Sequence, residues 1–157
     1  MGQQARFQAL VAELGEVLGI SDLQADESGY FGLTVDASVT VCLQYGEEDD
    51  QLTLFSKVSA LPASQRARAL EVLMHANLFW QGTGGATLGF DPADEIVVLA
   101  RRVALSGLDA ATLAEAIQQH ADRGQAWRSY LEEIADDDRG SASATSAPPF
   151  PDGMLRA

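Results

Sequence analysis

The chain has 157 residues, with 23 acidic and 10 basic side chains and a formal net charge of −13. That length makes one domain, and an apolar fraction of 46% is enough to build a real core. The charge excludes nucleic acid, whose phosphates demand Lys and Arg, and anionic membrane surfaces; it suits a basic partner.

Phe7, Leu10, Val11, Leu14, Val17 and Leu18 form a helical stripe, and Gly19 stands where a C-cap belongs, so a first helix is expected over residues 3–18. From residue 28 to 58 the period changes to two. Phe31, Leu33 and Val35 share one face; Val39, Val41, Leu43 and Tyr45 share the next; Leu52, Leu54 and Val58 share a third. The turns between them, Asp36-Ala37-Ser38 and the acidic Gly46-Glu47-Glu48-Asp49-Asp50, are too short for parallel crossovers, so these strands make an antiparallel meander.

Leu61-Pro62-Ala63-Ser64 opens a second helix that runs to Ala76-Asn77-Leu78-Phe79-Trp80. Leu70, Leu73, Met74, Asn77 and Leu78 lie on one face, and Val72, Ala76, Phe79 and Trp80 widen it. A helix apolar over most of its circumference is buried on more than one side. One side packs on its own sheet, and the other calls for a second copy of the chain. A Gly-rich turn, Gly82-Thr83-Gly84-Gly85, leads into a short strand at 86–90; Asp91-Pro92-Ala93-Asp94 turns the chain into a longer strand at 95–105. Asp109 is the expected N-cap of a last helix carrying Leu113, Ile117, His120, Trp127, Leu131 and Ile134, with a kink or division expected at Arg123-Gly124. The fold class is therefore α+β: a twisted five-stranded antiparallel sheet with three helices, order α-β-β-β-α-β-β-α. Residues 1–135 form the domain, and 136–157, acidic and then rich in Ser, Ala and Pro, are expected to be a disordered tail.

Candidate chemistry is sparse. The glycines at 82–85 follow a helix and precede a strand, the reverse of a phosphate loop, whose anion faces a helix N-terminus. The one cysteine, Cys42, excludes an internal disulfide and a cysteine zinc cluster, and its mid-strand position suits a structural thiol. His75 falls on a polar helix side and His120 at the edge of the core; neither has metal-ligand spacing. No catalytic, cofactor-binding or metal-binding residue is expected. No apolar run reaches the roughly 18 residues of a bilayer span. The N-terminus has no signal pattern and no myristoylation signal, so a reducing cytoplasm is the expected compartment.

Together with the order of elements, the run LEVLMHANLFWQGTGGATLGFDPADEIVVLARRVALSGLDAATLAEAI resembles the class I type III secretion chaperones of the Tir-chaperone (CesT-like) family. The resemblance rests on Leu73-Met74-His75-Ala76-Asn77, Gly85-Ala86-Thr87-Leu88-Gly89, the strand Val97 to Leu105, Leu108-Asp109 with Leu113, and Trp127. It covers residues 3–134 and leaves the tail unexplained.

The resemblance implies a homodimeric, non-enzymatic chaperone without cofactors. Such a chaperone holds the N-terminal segment of a secreted effector extended around the dimer and directs it to the secretion ATPase. On that basis the dimer contact is expected at Leu73, Ala76, Asn77, Trp80 and Leu88, and client grooves at Phe31, Leu33, Val41 and Leu43, edged by Leu10 and Leu14. Two other readings compete: an adaptor on the same fold without a secreted client, and a small-molecule enzyme, which would need a concave site with perturbed titrating groups.

Overall fold

The computed structural model describes residues 2–137. Helix α1 spans Gln3–Leu18; strands β1 Tyr30–Val35, β2 Val39–Gly46 and β3 Gln51–Ala60 follow; then helix α2 Arg66–Asn77, a 3-10 turn Leu78–Trp80, strands β4 Thr87–Asp91 and β5 Ile96–Ala104, and helix α3 Ala110–Asp136. All strand pairs are antiparallel, in the order β1-β2-β3-β5-β4, so β1 and β4 are the two edges. The α+β order is the one that periodicity gives. The expected tail lies outside the described residues, apart from its first two.

Local sequence explains most of the boundaries. Gly19 closes α1 in the left-handed region, at φ 69°, with its N–H on the carbonyls of Glu16 and Gly15. The Asp109 carboxylate accepts the Thr112 N–H at 2.7 Å and starts α3. The strands alternate buried and exposed residues, as a sheet covered on one face must.

Three boundaries differ from expectation. Pro62, Ala63 and Ser64 stay outside α2, in a turn closed by the Gln65 N–H on the Pro62 carbonyl at 3.2 Å. At its other end α2 stops at Asn77, because Phe79 adopts φ 53° and Trp80 φ 54°. Helix α3 is not divided at Gly124. The glycine is buried, and a Cβ built on it would lie 3.3 Å from Ser56 Oγ, so its lack of a side chain lets the unbroken helix lie close on β3.

The helices pack on the sheet around two buried apolar clusters. In one, Phe7, Leu10, Val11 and Leu14 of α1 meet β1, β2 and the first half of α3, with Phe7 stacked on Tyr45 at 4.5 Å between centroids. In the other, Ala69, Leu73 and Ala76 of α2 meet Leu88, Val97 and Leu99 of β4 and β5, together with Trp127, Leu131 and Ile134 of α3. Helix α3 spans both. Where they join, buried Ser56 and His120 are hydrogen-bonded at 3.1 Å.

Candidate docking surfaces

The edge strand β4 is closed by a side chain. Asn77 Nδ2 donates to the Leu88 carbonyl at 2.8 Å, and Asn77 Oδ1 accepts from the Leu88 N–H at 2.9 Å. The amide thus stands in for a neighbouring strand at one residue of an otherwise open edge. Directly after Asn77 the chain presents a knuckle of apolar side chains. Met74 is 73% exposed, Leu78 54%, Phe79 75% and Trp80 56%. Bulky residues seldom adopt positive φ, so the backbone at Phe79 and Trp80 is strained in the act of turning these rings outward. A cluster of this kind marks an interaction site.

This redraws the expected dimer contact. Leu73, Ala76 and Leu88 are buried in the protomer's own second cluster, and Asn77 is committed to Leu88. Of the five expected residues, Trp80 alone presents a large free surface. The reason is the early end of α2: Leu73 faces β4 and β5, while Leu78 and Phe79 leave the helical course and point away from it. Leu78 and Phe79 were hidden among the other apolar residues of the run, and only the backbone reversal separates them; Met74 lies on the open side of α2 itself.

The expected client residues are likewise core. Leu10, Leu14, Phe31, Leu33, Val41 and Leu43 all lie in the first cluster, covered by α1 and α3, and none lines a surface groove. Period-two alternation identifies the apolar face of a strand, but not whether a helix already lies on it.

Elsewhere the protein exposes Val17, Leu18 and Ile20 at the C-terminus of α1, and Tyr30 at the start of β1, whose ring lies on the bare face of the sheet with Phe55 and Cys42. A shallow, open depression of about 590 Å³ lies along α1 and the residues after it, lined by Gln8, Ala12, Glu16, Ile20 and Asp22 among others. Asp26 caps the first residue of the β1 edge. Its N–H donates to the Tyr30 carbonyl at 2.9 Å, and its carboxylate accepts from the Tyr30 N–H at 3.0 Å and from the Ser28 hydroxyl at 2.7 Å. The Ser28 hydroxyl, then the Tyr30 amide, hold the Asp26 carboxyl below its usual range. Gly32 and Thr34 share the parity of Tyr30, so their backbone groups also point outward from the sheet.

The titratable groups are arranged for structure. His120 is 1% exposed, and burial, followed by the nearby Arg123 and Arg101 cations, lowers its pKa to about 4. It therefore sits within the polar seam of the core rather than at its edge. Cys42 receives the Tyr30 hydroxyl at 3.2 Å. Among the described residues no group of three or more His, Cys, Asp or Glu could hold a metal ion, and no helix is long and apolar enough to cross a membrane.

The sequence and the fold match a known family. The model of the Tir chaperone protein (CesT) family fits residues 9–128, from the middle of α1 into the second half of α3. The chain belongs to that family.

A Chlamydia pneumoniae protein, CPj0713/CpB0740, is 31% identical over 97 residues, 60% of this chain and 74% of the relative. Among solved structures, the ExsC–ExsE complex superposes with a TM-score of 0.69 at 22% identity, covering 83% of this chain and 97% of that one. The HopA1–SchA chaperone–effector complex gives 0.67 at 17% identity, covering 79% and 94%. The Yersinia pestis type III secretion chaperone SycH, in complex with a fragment of YscM2, gives 0.62 at 21% identity, covering 75% and 96%. At these identities the structures establish that the CesT-family fold is shared.

Proposed function

We propose that this CesT-family protein is a homodimeric, cytoplasmic type III secretion chaperone. It binds the N-terminal segment of an effector in extended form, keeps it soluble and competent for secretion, and directs it to the secretion ATPase. It acts by binding and not by catalysis. The observation that carries this reading is the pair of separate apolar surfaces on a chaperone fold: the 74–80 knuckle that follows α2, and the exposed end of α1, with β1 as an open sheet edge. The first suits a second copy of the chain, the second an extended client.

The division of labour follows from energetics. An extended client gains backbone hydrogen bonds along β1, where Gly32 and Thr34 point outward, and buries apolar side chains on Tyr30 at the bare sheet face and on Val17, Leu18 and Ile20 at the end of α1, on the helix-covered side. Ordering it costs about 1–2 kcal/mol per residue of backbone. Apolar burial returns about 25 cal/mol per Å², so a long contact is required, and a dimer doubles the surface on offer. The net charge of −13 favours basic or unfolded segments and discourages self-association. Structural relatives in complex with a partner, one of them described as a chaperone–effector pair, support the reading.

The test is coexpression with the N-terminal segment of a protein encoded beside this one. The segment should be insoluble alone and should coelute with the chaperone when the two are made together. If the chaperone leaves every such segment insoluble, or retains the same stable partner in a strain without a secretion apparatus, the secretion reading fails; the second result would favour an adaptor.

A further inference from the structure

In a chain with 23 acidic and 10 basic side chains, a cation would be expected to find a carboxylate. Lys57, Arg66, Arg68 and Arg102 do so. Arg101 and Arg123 do not: among the described residues neither has a carboxylate within ion-pair distance. The sheet register brings them to one turn: Thr87 pairs with Ala100, so Arg101 lies one step beyond, beside the Gly84–Ala86 segment on which Arg123 rests. Arg101 shares the parity of Leu99 and Val103, so its side chain leaves β5 on the helix-covered face. Arg123, three residues along α3 from the buried His120, reaches the same segment from the helix. Burial, then the proximity of Arg101, disfavours the charged form of Arg123.

The surroundings supply little compensation. Arg123 Nη1 donates to the Gly84 carbonyl at 3.4 Å, and its guanidinium occupies the space where a Cβ on Gly84 would stand. Gly84, at φ 57°, leaves that space empty, so the turn shapes itself around the guanidinium. His120 Nδ1 is buried without a hydrogen-bond partner, whereas no nitrogen of Arg101 or Arg123 is a buried orphan. Both residues are half-buried, and since none of their unbonded nitrogens is sealed in, those donors reach the outside. Two forks of donors, like-charged, accessible and brought to the same turn, are the complement of one oxyanion.

We propose that Arg101 and Arg123, rimmed by the Gly84–Gly85 turn, form an oxyanion site that takes the carboxylate of an acidic side chain in the polypeptide the chaperone binds. The choice of occupant rests on the chaperone reading above; free phosphate offers the same chemistry. A surface carrying a net charge of −13 repels acidic client residues. At this notch one such residue is instead attracted and fixes the register of the client. The site adjoins the apolar knuckle, since the Gly84 N–H donates to the Trp80 carbonyl at 2.9 Å.

The test has two arms. In the first, the client-free chaperone is titrated with sodium phosphate against sodium chloride at matched ionic strength, and the arginine Nε–Hε resonances are followed by NMR. Those of Arg101 and Arg123 should shift saturably with phosphate; Arg101→Gln should abolish the response, and Arg102→Gln, at an arginine paired with Asp49, should not. Absence of a saturable shift overturns the site, whether or not the protein proves to be a secretion chaperone. In the second arm a bound client segment should prevent the phosphate response, and Arg101→Gln or Arg123→Gln should weaken client binding roughly tenfold. An unchanged phosphate response in the complex would assign the site to free phosphate and overturn the carboxylate assignment. Should Arg123→Gln fail to fold, Arg101→Gln decides both arms.

Discussion

The Asn77 amide and the Leu88 backbone are joined by two hydrogen bonds, of 2.8 and 2.9 Å, so a side chain at the end of α2 completes the edge of β4. Asn77→Ala removes both bonds and leaves the Leu88 groups to water. Each bond is worth about 1 kcal/mol, so urea denaturation should show a loss of about 2 kcal/mol. The uncovered edge should also raise the tendency to aggregate, which light scattering during heating would register.

The knuckle should separate association from folding. Phe79→Ser and Trp80→Ser change exposed residues, so each protomer should keep its stability within about 1 kcal/mol while the proposed dimer dissociates. Leu73→Ala removes a buried leucine and should cost about 2–5 kcal/mol. Sedimentation together with thermal melting distinguishes the two classes. Equal loss of folding in all three variants would contradict the division between core and knuckle.

The seam between the two clusters carries a pH dependence. The folded-state pKa of His120, about 4, lies below its ordinary value of 6.5, so the unfolded chain binds the extra proton first. This contribution is intact above pH 6.5 and is lost as pH falls toward 4, at a cost on the order of 3 kcal/mol. The double variant Ser56→Ala/His120→Leu, which removes both polar partners, should flatten the stability profile across that window. An unchanged slope in urea titrations between pH 4 and 6.5 would contradict the assignment.

The start of α3 depends on one carboxylate. Asp109→Ala should lower the melting temperature at pH values above about 4, as the loss of an N-cap does. The Thr112 N–H holds the Asp109 carboxyl below its ordinary value of 3.8, so the cap is present above that pH and fades below it. Circular dichroism melts at pH 7 and pH 3 should show the difference between variant and parent shrinking at the lower pH.

What the sequence revealed was local. The α1 stripe with Gly19, the three alternating strands and the Asp109 cap are each written in adjacent residues, and the element order follows from them. The end of α2 is not so written, because Leu78-Phe79-Trp80 continues an apolar helical run and carries neither glycine nor asparagine where the backbone turns positive. The client-side residues were misplaced for a related reason. Phe31, Leu33, Val41 and Leu43 do lie on one sheet face, but α1 and α3 cover it, and that covering is set by packing between distant segments. Ser56 and His120, separated by 64 positions, form a pair that no local pattern announces.

Native mass spectrometry of the chaperone, coexpressed with the N-terminal segment of an effector encoded beside it, tests the central claim most directly. The expected species holds two copies of the 16.7 kDa chain and one client segment, and Trp80→Ser should remove it. A monomeric chain, alone or bound one-to-one to the client, would contradict the account.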